Sequence, residues 1–278
     1  MAELDVQECY KVAMFLVKSA GKIVREAINK KKNIETKSSA IDLVTESDKA
    51  VEKFLISGLS SSYPDHKFIG EESVSAGEKC VFTDAPTWII DPIDGTMNFV
   101  HSFPQSCVSV GLWVNKEAAL GIVYNPVLEQ MFTAIKGEGA FLNGEKITVS
   151  DETELSKALV FAEMGSSQDA EKMDTVITNF TTLLPKVHGL RGIGSAALDM
   201  CYVAAGWGEA FFHFGLCCWD MAAGYLIVRE AGGVVIDTAG GPFDLMRRRV
   251  ICASTQQLAE TLSKNLKQYQ PEIDGVSK

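Results

Sequence analysis

Two carboxylates three residues apart, Asp91 and Asp94, sit in the stretch WIIDPIDGTMNF (88–99), directly against an apolar run. Buried carboxylates are costly unless a cation or hydrogen-bond donors meet them. Pro92 removes a backbone donor and constrains its neighbour, so a buried strand is expected to end at Asp91 and the chain to turn sharply. Such a turn brings Asp91, Asp94 and the Ile93 carbonyl together, and three hard oxygens suit Mg²⁺. Gly95 permits close backbone approach, and Thr96 would open a short helix whose free N–H groups attract phosphate. The same spacing also suits a turn in which the aspartates only accept backbone N–H groups.

Other acids keep company with this pair. IGEES (69–73) offers Glu71 and Glu72 after a short strand, and CWDMAAG (218–224) places Asp220 immediately before a helix in the most apolar region. No lysine or arginine cluster is near these acids in sequence, so a divalent metal is the economical counter-charge. In DLVTESD (42–48), Thr45 and Asp48 have the spacing of a capping box. Asp48 either serves that cap alone or accepts a hydroxyl proton from Thr96, and sequence spacing does not decide between them.

The elements that must carry these groups follow from periodicity. Apolar residues at helical spacing over 4–28 predict a long amphipathic helix, closed by the lysines of 29–33, and Val51, Phe54, Leu55 and Leu59 mark a second. From Trp88 the pattern turns to β: TWII, CVSVGLWV, ALGIVYNP and EQMFTAI read as antiparallel strands, with a hairpin at Asn143-Gly144. Beyond 150, SKALVFAE, GVVID and RVICAS read as strands, and 169–184, 195–206, Met221–Ala231 and 256–268 as helices. This order predicts a mixed α/β (α+β) fold of stacked sheet and helix layers. We expect one domain over 1–270, with subdomains of about 1–150 and 151–270 sharing a cleft, and a loose tail at 271–278.

Composition bounds the function classes. A net charge of −10, with no basic stripe, argues against nucleic acid. Seven scattered cysteines without a C-x-x-C, behind an acidic N-terminus, suit reduced thiols in a cytoplasmic protein. The apolar run 201–228 exceeds the ~20 residues of a membrane span, yet it holds Glu209, His213, Asp220 and three central glycines. A strand, a turn and a buried helix fit it better, so no membrane partner is expected.

Together DLVTESD, GEES, WIIDPIDGTMNF and WDMAAG resemble, in order and spacing, the inositol monophosphatase family of Mg²⁺-dependent, lithium-sensitive phosphatases, the animal enzymes most closely. VHGLRGIGSAALDM and EAGGVVIDTAGGPFDL extend the resemblance to about residues 5–265. It implies a layered α-β-α-β-α sandwich with a largely antiparallel N-terminal sheet, a homodimer, and hydrolysis of inositol monophosphates by direct attack of a metal-activated water. By the same resemblance Glu71, Asp91 and the Ile93 carbonyl bind one Mg²⁺, Asp91, Asp94 and Asp220 a second, and Glu71 helps hold a weaker third through water. Thr96 with Asp48 orients the water, the Gly95 and Thr96 amides hold the phosphate, Glu72 stands behind the ligands, and Lys37 lies near the site. Gly194, Ser195, Ala196, His213, Asp94 and Asp220 line the substrate side.

The pattern departs from the family there. His213 stands where a glutamate usually binds ring hydroxyls, Cys217 where histidine is common, and Met97 where a small polar residue is frequent. A neutral imidazole offers one donor and one acceptor in place of a carboxylate's two acceptors. Either His213 is tolerated or substrate preference shifts toward another small phosphorylated metabolite, a sugar or nucleotide phosphate. A metal-binding relative without catalysis would be expected to lack a ligand or the Thr96–Asp48 pair, and all are present.

Overall fold

The computed structural model describes residues 4–32, 34–36, 43–165 and 169–271. In chain order the elements are α1 (Val6–Ala27), β1 (Ile34–Thr36), β2 (Leu43–Thr45), α2 (Glu46–Ser62), β3 (Lys67–Gly70), α3 (Glu71–Ser75), β4 (Thr87–Asp94) and α4 (Thr96–Val100). They continue with β5 (Cys107–Val114), β6 (Glu117–Asn125), β7 (Gln130–Ile135), β8 (Gly139–Leu142), β9 (Glu145–Ile147), β10 (Leu159–Ala162) and α5 (Ala170–Leu183). The chain ends with β11 (Gly189–Arg191), α6 (Ala196–Ala204), β12 (Ala210–Phe214), α7 (Cys218–Glu230), β13 (Val234–Ile236), β14 (Arg249–Ala253) and α8 (Gln256–Asn265).

Five layers result. The first sheet runs β3-β4-β5-β6-β7-β8-β9 and is antiparallel throughout except for the parallel β3–β4 pair. On one face lie α1 and α2, whose apolar stripes (Cys9, Ala13, Val17 and Val24; Val51, Leu55 and Leu59) bury against Trp88, Ile90 and Leu112. The stripes arise because residues three and four apart share a helix face. The other face packs on α6 and α7, and beyond these lies the second sheet, β11-β10-β12-β14-β13. There β10 is parallel to β11 and β12, while β14 is antiparallel to β12 and β13. The fifth layer is α5 and α8.

Every residue of α6 is buried, as the middle layer of such a stack requires. Glycines let α7 lie close on the first sheet: Gly111 and Gly121 are cross-strand partners, and a Cβ built on Gly121 would stand 2.6 Å from the Ala223 carbonyl oxygen. The expected hairpin turn is present, with Asn143 and Gly144 both at positive φ (52° and 86°). The apolar run 201–228 resolves into the end of α6, β12 and most of α7, and among the described residues no helix is long and apolar enough to cross a membrane.

Three boundaries differ from the sequence expectations. Strand β4 does not end at Asp91 but continues to Asp94, with a register shift between them: Asp91 faces Ser109 and Asp94 faces Cys107. Pro92 is absorbed in a bulge, and the Ile93 N–H donates to Asp91 Oδ1 (3.0 Å) instead of the ladder. Helix α7 starts at Cys218, so Asp220 is its third residue rather than the residue before it. Asp220 caps that start by accepting the Cys217 N–H (2.6 Å). Helix α8 ends at Asn265 rather than 268. The expected tail from 272 onward lies outside the described residues.

Candidate active site

The bulge at the end of β4 aims two carboxylates at the N-terminus of α7. One oxygen each from Asp91, Asp94 and Asp220 lies within 4.8 Å of the others. Glu71, the first residue of α3, lines the same cavity, and its charge acts on both Asp91 and Asp220. Burial, then mutual repulsion, pushes Asp91 and Asp220 well above the ordinary carboxylate range, and burial raises Asp94 to about 6. Among the described residues no lysine or arginine pairs with Asp91, Asp94 or Asp220. Four clustered carboxylates of hard oxygen donors fit a divalent cation such as Mg²⁺, which would supply the missing charge.

Each acid is held from a different element. Asp94 Oδ2 accepts the Ser195 hydroxyl, the Ala197 N–H (2.8 Å) and a weak contact from Cys107 Sγ (3.8 Å). Ser195 is also the N-cap of α6, so one helix start fixes one carboxylate of the cluster. Glu71 and Glu72 are fixed through Glu52 of α2, whose carboxylate accepts the Glu72 N–H (2.7 Å), the Ser73 N–H (2.8 Å) and the Ser73 hydroxyl (2.6 Å). Glu72 itself is buried and faces Asp48 closely enough to raise it.

The fold brings Thr96 to Asp48. The capping box at the start of α2 is present: Thr45 donates its N–H (2.9 Å) and its hydroxyl (2.5 Å) to Asp48 Oδ2. Asp48 Oδ1 is left facing the Thr96 hydroxyl at 3.5 Å, and that hydroxyl donates to the Ile93 carbonyl at 3.1 Å. Asp48 thus gives one oxygen to the cap and turns the other toward Thr96. Burial raises the Asp48 carboxyl to about 6, against the lowering effect of the Thr45 bonds.

Gly95 precedes α4 at φ +84°, and a Cβ there would meet the Gln105 carbonyl at 2.8 Å and the Gly194 carbonyl at 3.0 Å. Asn98 ties this turn to the opposite wall by donating to the Gln105 and Ile193 carbonyls (2.7 and 2.8 Å). Glu163 accepts the Ile193 and Gly194 N–H groups (2.5 and 2.8 Å).

A cavity of about 620 Å³ opens over these groups, lined by Glu71, Asp94, Gly95, Thr96, Gly194, Ser195, Ala196, His213 and Asp220 among others. Of the residues singled out from sequence, Asp91 lies beneath its floor, 2% exposed, and Met97 lies at its rim. Cys217 is the N-cap of α7, and its Sγ receives a bond from Arg248 (3.5 Å). Lys37 lies outside the described residues. Sequence reasoning missed Glu52, Glu163 and Lys172, the last two of which also line the cavity. Nothing local marks them: each acts on groups brought in by other elements.

Comparison with known proteins agrees with this geometry. The model of the inositol monophosphatase family matches residues 5–271. Inositol monophosphatase 1 of Bos taurus is 52% identical over 261 residues, 94% of each chain. Inositol monophosphatase 2 of Homo sapiens is 49% identical over 94% of this chain and 91% of its own. Among solved structures, the extragenic suppressor protein suhB of Bartonella henselae superposes with a TM-score of 0.84 at 31% identity, covering 94% of this chain and 99% of that one. By the family model over nearly its whole length and by these relatives, this chain belongs to the inositol monophosphatase family.

Proposed function

We propose that the protein is a Mg²⁺-dependent phosphoric monoester hydrolase that releases phosphate from inositol monophosphates by direct attack of water. The observation that carries this reading is the convergence of the Asp91, Asp94 and Asp220 oxygens beside Thr96 on the wall of one cavity, in a chain of this family. When bound, Mg²⁺ neutralises the phosphate dianion, lowers the pKa of a nearby water and steadies the leaving oxygen.

In this reading Glu71, Asp91 and the Ile93 carbonyl hold one ion, and Asp91, Asp94 and Asp220 a second, with a weaker third near Glu71. The Thr96 hydroxyl turns its single proton from the Ile93 carbonyl to Asp48 Oδ1, which leaves the Thr96 lone pairs to orient the attacking water. A carboxylate raised to about 6 is well matched to that task near neutral pH. The Gly95 and Thr96 amides hold the phosphate, and Gly194, Ser195, Ala196 and His213 face the alcohol part of the ester. Glu72, buried within reach of Asp48, supports the ligands.

The first and second sheets act as one domain with a shared cleft, and the protein works as a homodimer in a reducing cytoplasm, in keeping with seven free cysteines. Phosphate release from a panel of monoesters during a Mg²⁺ titration tests the activity. Fast, Mg²⁺-dependent release from inositol 1- and 4-phosphates is expected, and release without added metal would overturn the reading. Size measurement at micromolar concentration tests the dimer.

A further inference from the structure

The cavity has a second, cationic end. Its acidic end is Asp94, Asp220 and Glu71; on the far wall Gly165, Lys172, His213 and Gly215 meet, and Glu163, whose carboxylate is engaged by the Ile193 and Gly194 N–H groups, also lines the cavity. Lys172 is the third residue of α5, and its ammonium crosses Gly215 so closely that a Cβ built there would stand 2.7 Å from Nζ. A Cβ built on Gly165 would stand 3.8 Å from the same Nζ and 3.6 Å from His213 Nε2. Two glycines therefore leave space that the ammonium and the imidazole both border.

These groups lack partners of their own. Among the described residues the Lys172 ammonium, though half-buried, has no ion pair and no hydrogen bond. His213 is 8% exposed, and its Nδ1 is enclosed without a partner. With the ring neutral, a proton on Nε2 sends the N–H into the cavity and leaves only a lone pair enclosed; the other tautomer would bury an unsatisfied donor.

The surroundings add positive charge. Arg248 spans the 215–217 turn, donating to the Gly215 and Leu216 carbonyls (both 3.1 Å), and its charge reaches Lys172 and His213. Burial, with the Lys172 and Arg248 charges, holds His213 neutral by moving its pKa down to about 3. Burial and then Arg248 lower the Lys172 ammonium's pKa, while Asp220 and Asp169, which caps α5 by accepting the Lys172 N–H (2.7 Å), act the other way and favour the charged form.

We propose that Lys172, with the His213 N–H beside it, forms a subsite for a second oxyanion on the substrate, so that phosphate esters carrying an additional phosphate or carboxylate are favoured over esters of neutral polyols. A half-buried ammonium recovers its lost hydration by meeting an oxyanion, and the His213 N–H adds a directional bond. The inference rests on the phosphatase reading: inositol monophosphates remain substrates, and esters with a second oxyanion are preferred to them.

The test is the ratio of kcat/KM within matched pairs at saturating Mg²⁺: fructose 1,6-bisphosphate against fructose 1-phosphate, and 2-phosphoglycerate against glycerol 2-phosphate. The first pair reports a second phosphate and the second a carboxylate. K172M is expected to lower the ratio about tenfold in at least one pair, through KM rather than kcat, and K172R to restore most of it. A ratio unchanged by K172M in both pairs overturns the subsite and leaves the phosphatase reading standing. Absence of phosphate release from every ester overturns that reading instead. Calorimetry of fructose 1,6-bisphosphate in Mg²⁺ then decides the subsite: about tenfold weaker binding to K172M supports it, and equal binding overturns it.

Discussion

Asp91 and Asp94 face the same problem of burial and meet it differently. Asp94 Oδ2 has three donors from α6 and β5, whereas Asp91 accepts the Ile93 N–H and otherwise faces other acids. Without metal, Asp91 is thus the carboxylate of the cluster that destabilises the fold most. In chelator-treated buffer D91N is expected to unfold at a higher temperature than the native protein, since its amide oxygen keeps the Ile93 bond and removes a charge. Millimolar Mg²⁺ should reverse the order, because only the native cluster gains the free energy of tight binding, about 2.7 kcal/mol at a hundredfold excess over Kd. Failure of Mg²⁺ to raise the native midpoint would remove Asp91 from the metal site. Asp199 on α6 offers a separate pH test. It is fully buried, neither oxygen has a hydrogen-bond partner among the described residues, and burial and then Glu163 raise its carboxyl well above the usual range. The folded state therefore holds a proton that the unfolded chain releases above about pH 4. Its stabilising effect is full below that pH and is lost as pH rises toward the folded pKa. D199N should melt above the native protein at pH 8, with the gap closing toward pH 4; an equal gap at both pH values would contradict a neutral Asp199.

Short elements set the geometry that longer ones only support. Helix α3 has five residues, too few to be stable alone, yet it begins with Glu71. What fixes it is Glu52, 3% exposed on α2, whose carboxylate lies against Gly70: a Cβ there would stand 2.5 Å from Glu52 Cδ. E52A leaves two inward-facing N–H groups and a hydroxyl without their acceptor, so a loss of about 3 kcal/mol is expected in urea unfolding. Mg²⁺ affinity should fall several-fold with it, because Glu71 loses its anchor; a destabilised variant with native affinity would uncouple α3 from the metal. The sequence made Asp91, Asp94, Gly95 and Thr96 legible because their chemistry lies within one turn, and the Thr45–Asp48 box legible because capping is local. It left Glu52 unmarked because its partners are 20 and 21 residues away, and Glu163 because its partners are 30 and 31 away. The periodicity that found α7 also misplaced its start, since the first turn of a buried helix is set by the Asp220 cap and not by apolar spacing. Strand β4 ran past Pro92 for a related reason. A bulge can place proline where no ladder bond is needed, a freedom that composition does not reveal.

At the scale of the molecule, the site depends on how closely two layers meet. Asp91 and Asp94 belong to the first sheet and Asp220 to the middle helix layer, so the distance between α7 and that sheet sets the separation of the metal oxygens. That distance is set by glycines: paired Gly111 and Gly121 face Ala222 and Ala223, one turn along α7 from Asp220. A methyl group at Gly121 would press on the Ala223 carbonyl, a backbone atom that gives only if the helix moves. G121A is therefore expected to cost about 1–3 kcal/mol of stability, the usual cost of overpacking. It should also weaken Mg²⁺ binding and lower kcat, although Gly121 is not itself among the acids or the cavity lining. G241A is the matched control, because a Cβ at Gly241 has nothing within 4 Å and its φ is unstrained; it should stay within about 0.5 kcal/mol of the native protein and bind Mg²⁺ normally. Thermal unfolding with and without Mg²⁺ reads both effects on one sample. If G121A is destabilised while its Mg²⁺-dependent rise in midpoint stays native, the separation of α7 from the sheet does not govern the metal site. If the rise shrinks in proportion to the lost stability, the glycine pair in the core tunes the carboxylate cluster between the two layers.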